Sequence, residues 1–185
     1  MIKLGDYLKQ PIVIQEQKKD ELVLEPLPVK TLAPVMSKAT IDYHYGTLAK
    51  GYVDRYNKGE GDPIFNMAGA FLHNVFFPQF TYPKENNKPF GKSEQYIHGK
   101  FGSFAEFKRQ VKDVAMKIQG SGWVYLSDKG EIKTIPNHQV RKDIILLIDW
   151  WEHAWALDYQ ADKAKYLENI WSIIDWKIIN DRLTS

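Results

Sequence analysis

The chain has 185 residues, enough for one compact domain or two small layers sharing an interface. Its 44% hydrophobic and 26% charged residues are those of a globular protein, and a net charge of +2 argues against nucleic-acid binding by bulk charge. Cysteine is absent, which excludes disulfides, zinc ribbons, iron–sulfur clusters and thiol nucleophiles.

Residues 1–26 carry no clean period and read as an N-terminal extension. They hold neither the apolar core of a secretory signal nor an arginine-rich transit pattern. The longest apolar run in the chain, Ile144 to Ile148, is far short of the ~20 residues of a membrane span. A cytoplasmic protein with no membrane partner is expected. Pro26, Pro28 and Pro34 then punctuate an extended lead-in.

Ser37 is a good N-cap for a helix over about 38–57. Ile41, Tyr45, Leu48, Tyr52, Val53 and Tyr56 recur there at helical spacing, and Gly59 and Gly61 stop it. A second helix over about 64–77 ends before Pro78, and the short KGEGDP connection makes the pair an antiparallel hairpin. The proline-rich stretch 78–92 divides a helical-hairpin domain, 27–92, from a C-terminal α/β domain, 93–185. Ser103 caps a further helix closed by Gly120. GWVYLS, the turn DKG and EIKTIPN predict a β-hairpin, and DIILLID a fully buried third strand. Helical spacing returns from about Asp162 to Leu183. The fold class is therefore α+β: a helical hairpin, then a small three-stranded antiparallel sheet flanked by helices. Six Trp and ten Tyr must fill much of its core.

Five histidines occur. His44 lies mid-helix with Leu48 and Tyr52 at i+4 and i+8, and His73 lies on the second helix one turn after Gly69, which removes side-chain bulk. His153 stands four residues after Asp149, just past the buried strand. His138 is in the loop before that strand, and His98 reads as a solvated helix residue. Taken singly, each is an ordinary hydrogen-bonded or surface histidine, and DxxxH at a strand end is too short to carry chemistry. Taken together, a histidine from each arm of a hairpin and an Asp and a His at one strand end can converge. Three imidazoles and one carboxylate suit a first-row transition metal better than calcium or magnesium. Without cysteine, a site with an open coordination position is expected rather than a structural zinc.

YHYG at 43–46 followed by Tyr52, FNMAGAFLHNVFF at 65–77 and FGSFAEFK at 101–108 come first in a series of blocks. GSGWVYL at 120–126, DWWEHAWALDY at 149–159 and YLENIWSIIDW at 166–176 follow. In order and spacing these resemble the motifs of the iron/manganese superoxide dismutases, over about Leu27 to Leu183. The resemblance implies disproportionation of superoxide by one iron or manganese ion per chain, with a lean toward iron or toward use of either metal. The implied ligands are His44, His73, Asp149 and His153, with solvent as a fifth. Tyr52 matches the tyrosine that lines the channel to the metal, Trp123 and Trp151 match aromatics around the site, and Phe77 stands where another is frequent.

His138 takes the place of a residue hydrogen-bonded to the metal-bound solvent. Glutamine is usual there, from this loop in manganese enzymes and from the second helix in iron enzymes, where this chain has Gly69. Gln139 is the neighbouring alternative. Glu152 matches a carboxylate that crosses a homodimer interface to the partner subunit's ligand histidine. Lys163 replaces an arginine near the channel mouth and, with Lys50, would steer the anion. Leu48 and Ala156 depart from the His and Tyr that pair across subunits, so a homodimer or higher oligomer with an altered contact is expected. Two other readings stay open on the residues alone. One is a non-catalytic structural or interaction protein on this fold. The other is a zinc hydrolase, for which Glu152 is the only close general base.

Overall fold

The computed structural model of the chain describes residues 21–184. Of the extension over 1–26, residues 1–20 lie outside these. The described part runs extended along the helical hairpin. Asn57 receives the Leu22 N–H at 2.9 Å and donates to the Leu22 carbonyl at 2.8 Å. Asn74 does the same with the Glu25 N–H and the Val23 carbonyl. Two amide side chains thus satisfy backbone groups that have no strand to pair with.

The first helical arm is three pieces. Helix α1 (Lys38–Tyr43) starts at Ser37, whose hydroxyl accepts from the Thr40 N–H at 3.1 Å. A π-turn over His44–Ala49 follows, then α2 (Lys50–Lys58), which ends at Gly59 with φ +71°. The helical period predicts one uninterrupted α-helix here. In the π-turn, backbone bonds reach five residues back instead of four. The fully buried pair is accordingly His44 and Ala49, five apart, while Leu48 is only half-buried. The second arm, α3 (Pro63–Phe76), begins at Asp62, which accepts from the Phe65 N–H at 2.8 Å with Pro63 in the first turn.

Strands β1 (Gly122–Ser127), β2 (Ile132–Pro136) and β3 (Ile144–Asp149) form an antiparallel sheet of order β2-β1-β3. Every residue of β1 and β3 is buried, whereas β2 buries only Ile135. Helix α3 lies against β3, and one apolar core runs from Leu72, Phe76 and Phe77 through Trp123 and Leu147 to Trp176. Helix α4 (Lys92–Phe101) precedes α5 (Phe104–Ala115), whose N-cap Ser103 accepts from the Glu106 N–H. The former carries the exposed His98.

Short helices α6 (Ala156–Tyr159), α7 (Lys163–Ile170) and α8 (Trp176–Arg182) complete the chain. The last two replace the single C-terminal helix that the spacing suggests. Ile174 is extended and bridges Phe80, and Asp175 caps a new helix by accepting from the Lys177 N–H. The proline-rich loop is tied to this break: the Thr81 N–H donates to the Ile173 carbonyl, and the Asn87 amide to those of Trp171 and Ile174.

Strand β3 is an edge strand, and its open side is closed by side chains. The fully buried Gln79 donates to the Leu147 carbonyl at 2.5 Å and accepts from the Leu147 N–H at 3.1 Å. Arg182 donates to Gln79 Oε1 and to the carbonyls of Ile145 and Val75. An unpaired edge is thereby removed from a strand that ends on Asp149. Among the described residues no helix is long and apolar enough to cross a membrane.

Candidate metal centre

Four elements deliver one donor each. His44 opens the π-turn, His73 lies on α3, Asp149 ends β3, and His153 sits in the 3-10 turn Glu152–Ala154 just after it. Asp149 Oδ2 is 3.1 Å from His44 Nε2, 3.2 Å from His153 Nε2 and 3.8 Å from His73 Nε2. The two hairpin imidazoles approach to 3.1 Å through their Nε2 atoms. All four donor atoms lie within 4.8 Å of one another. Ligands ~2.1 Å from a common ion are ~3.0 Å apart at right angles and ~3.6 Å apart at 120°, so these separations suit one small ion.

The local bonding prepares the donors. His73 Nδ1 lies 2.7 Å from the Gly69 carbonyl and donates to it, which leaves the Nε2 lone pair for the site. Asp149 Oδ1 accepts from the Trp151 N–H at 2.8 Å, so Oδ2 alone faces the imidazoles. His44, His73 and Asp149 are wholly buried and His153 nearly so. Burial lowers the pKa of His44, against the hydrogen bond to Asp149, and lowers that of His73 further with help from the nearby His44 charge. Burial raises the Asp149 carboxyl, but the charge of His153 and the hydrogen bonds from His153 and His44 outweigh it, leaving it well below the usual range. A neutral His44, a neutral His73 and an ionised Asp149 are protonation states that metal binding needs. An all-nitrogen-and-oxygen set with one negative charge fits iron or manganese.

Around the donors stands a ring of aromatic side chains. Phe77 meets His44 edge-on with centroids 4.9 Å apart, and Trp123, opposite Asp149 in the sheet register, meets His73 at 5.2 Å. Trp151 is stacked on both His138 (4.6 Å) and His153 (5.5 Å). Tyr52 lies 5.5 Å from the His73 ring and 4.9 Å from that of His138. Gly69 is what lets it sit there, since a Cβ at that position would be 2.8 Å from Tyr52 Cγ. Burial, then the Asp149 charge, push the Tyr52 phenol up to about 12.

His138 is buried, whereas Gln139 is exposed and accepts from Arg141. Trp123 Nε1 donates to His138 Nδ1 at 3.2 Å, so the neutral ring carries its proton on Nε2. That nitrogen is buried and has no partner among the described residues. Glu152 is exposed beside His153, and the Lys163 ammonium lies 5.4 Å from the centre of the Trp150 ring. Lys50 is paired with Asp54. Phe65, a residue without an assigned role in the sequence, touches both Tyr52 and His138. Its position one turn before Gly69 was the available signal.

Burial brings His138 down to about 4. The unfolded chain, with an ordinary histidine, takes up a proton near pH 6.5 while the folded one resists it, so stability is full above pH 6.5 and lost as pH falls toward 4. His44 and His73 act in the same direction. Metal-free protein should lose about 2 kcal/mol by pH 5 through His138 alone. Urea unfolding at several pH values measures this. A flat profile between about pH 7 and 5 contradicts the buried neutral imidazole.

Residues 89–182 match the C-terminal domain of the iron/manganese superoxide dismutases. A manganese/iron superoxide dismutase of Porphyromonas gingivalis is 39% identical over 189 aligned positions, covering 88% of this chain and 98% of that protein. An iron superoxide dismutase of Bacteroides fragilis is 37% identical, covering 85% and 96%. One of Escherichia coli is 32% identical, covering 89% and 98%. With the helical hairpin, the three-stranded sheet and a His3Asp cluster where they meet, the chain belongs to the iron/manganese superoxide dismutase family.

Proposed function

We propose that the chain disproportionates superoxide, two superoxide anions and two protons giving dioxygen and hydrogen peroxide, with iron or manganese held by His44, His73, Asp149 and His153. The observation that carries this reading is the convergence of the four donor atoms within 4.8 Å in a buried, aromatic-walled site. A bound iron or manganese supplies the one-electron couple that takes an electron from one superoxide and returns it to the next.

The chain's own residues hold the charge and the protons. Asp149 contributes the single negative charge among the donors. His138 presents an Nε2–H to the site, and the Trp123 indole fixes that tautomer through Nδ1. The Tyr52 phenol keeps its proton at neutral pH, because burial holds its pKa far above the working range. Phe77, Trp123 and Trp151 exclude bulk water, so these hydrogen bonds act in a low-dielectric space. Gly69 on α3 and His138 from the loop support iron, or either metal, as the working ion. A homodimer is part of the same proposal, and the exposure of Glu152 is compatible with its reaching a second copy.

Protein purified from iron-supplemented and from manganese-supplemented cultures should carry one ion per chain and scavenge superoxide. His138→Gln should keep its metal and shift both reduction potential and metal preference, while Gln139→Ala changes neither. Full metal occupancy without turnover in either preparation refutes the reading.

A further inference from the structure

Steering of an anion needs a positive charge that is both close to its path and free of a neutralising partner. Of the two lysines considered from the sequence, Lys50 fails the second condition, since it forms an ion pair with Asp54. Lys163 lies over the Trp150 indole in the cleft beside Glu152. Arg55 meets both conditions. Its guanidinium carbon is 5.0 Å from the centre of the Tyr52 ring, which in turn lies 5.5 Å from His73. Among the described residues no carboxylate lies within ion-pair distance of it, and its hydrogen bond is to a neutral amide, Asn66 Oδ1, at 3.1 Å.

The position is also built. Asn66 is almost wholly buried and is itself held by donating to the Glu60 carbonyl at 2.9 Å. Gly51, one turn before Arg55, leaves the space that the guanidinium uses, since a Cβ there would be 3.0 Å from Arg55 Nη1. Gly69 leaves the space for the Tyr52 ring in the same way. Two glycines and a buried amide thus fix a half-buried guanidinium against the tyrosine beside the metal site, at low entropic cost for so long a side chain. A cation over an aromatic face in a partly dry setting is screened less by salt than one on an open surface.

We propose that Arg55 is the fixed cation that draws the substrate anion toward Tyr52, a role that rests on the superoxide reading above. Arg55 acts before the chemistry, by raising the local concentration of the anion and its rate of arrival.

The test uses the metal-loaded full chain and the variants Arg55→Gln, Arg55→Lys and Lys163→Gln, with metal content matched by analysis. The rate constant for superoxide, kcat/KM, is measured from about 10 mM to about 150 mM ionic strength, over which the screening length falls from ~30 to ~8 Å. Arg55→Gln should lower kcat/KM by ~3–10-fold at the lowest salt, with the deficit shrinking as salt rises, and Arg55→Lys should recover most of it. Azide, as a small anion that is not turned over, gives an independent readout by optical titration of the iron-loaded protein. Its half-saturating concentration should rise several-fold in Arg55→Gln and not in Arg55→Lys. The proposal is overturned if Arg55→Gln follows the parent chain in both measurements, if lysine fails to restore it, or if Lys163→Gln alone abolishes the salt dependence. Absence of superoxide turnover in the loaded parent chain would overturn the function instead, and the azide titration would still decide Arg55.

Discussion

His73→Ala is expected to leave a folded chain that retains no iron or manganese. On the proposed ligand set the substitution removes one of four donors, the remaining three lying on other elements, so a bound ion would lose a quarter of its protein coordination. Elemental analysis should fall from about one ion per chain to background, and superoxide scavenging with it, a loss of the whole activity. The fold should survive, because the imidazole is a polar group in an aromatic pocket. Its loss sacrifices contacts with Trp123 and Phe77 but also relieves the close approach of the two Nε2 atoms. Far-ultraviolet circular dichroism checks that point, and His98→Ala, at an exposed histidine, is the control. Retention of a full complement of metal by His73→Ala would show that the ligand set is misassigned.

Gln79→Ala should produce the largest change in stability. The side chain is fully buried and engages both backbone groups of Leu147 on the edge of β3. Truncation leaves a buried N–H and a buried carbonyl without partners at about 1–3 kcal/mol each, and deprives Arg182 of one acceptor. A total of about 3–5 kcal/mol is a large share of what a domain of this size has. Urea unfolding of the metal-free protein measures it. Gln79→Leu, similar in volume but without hydrogen-bonding capacity, should be nearly as damaging. If Gln79→Leu is close to the parent chain, volume rather than edge satisfaction is what the glutamine provides.

The contrast between these two residues shows what one-dimensional reading reaches. His73 was visible because helical spacing places it on one arm of a hairpin and strand-end spacing places Asp149 and His153 together; each of those arguments needs only local periodicity. The antiparallel sheet was legible for the same reason, from alternating and continuous apolar runs with a DKG turn between them. Gln79 was invisible. Its partner Leu147 is 68 positions away, and a lone glutamine after a proline carries no local signal of a buried contact. Arg55 is similar, since its significance depends on Asn66, Gly51 and the absence of a nearby carboxylate. The split between α7 and α8 was also missed, because apolar spacing continues through Ile173 and Ile174 while the backbone there is taken by a bridge to Phe80. His138 was preferred to Gln139 from the sequence pattern, whereas the burial of the one and exposure of the other are not legible in adjacent loop residues.

The π-turn between α1 and α2 bears on the angular relation of His44 to Tyr52. Residues eight apart on a regular α-helix point about 80° away from each other at 100° per residue, which would aim the phenol well off the imidazole's direction. One residue stored in a wider turn makes eight positions behave as seven, and the divergence falls to about 20°. The i+8 spacing therefore brings both side chains against the His73 ring because His44–Ala49 winds more loosely than the helix around it. Shortening the chain by one residue inside that turn would return it to regular winding with the two directions still matched. The same deletion within α2, beyond Tyr52, has no slack to draw on and would turn Arg55 by about 100° away from Asn66. Tolerance of length change in this arm is thus concentrated in one turn, the one that begins at His44.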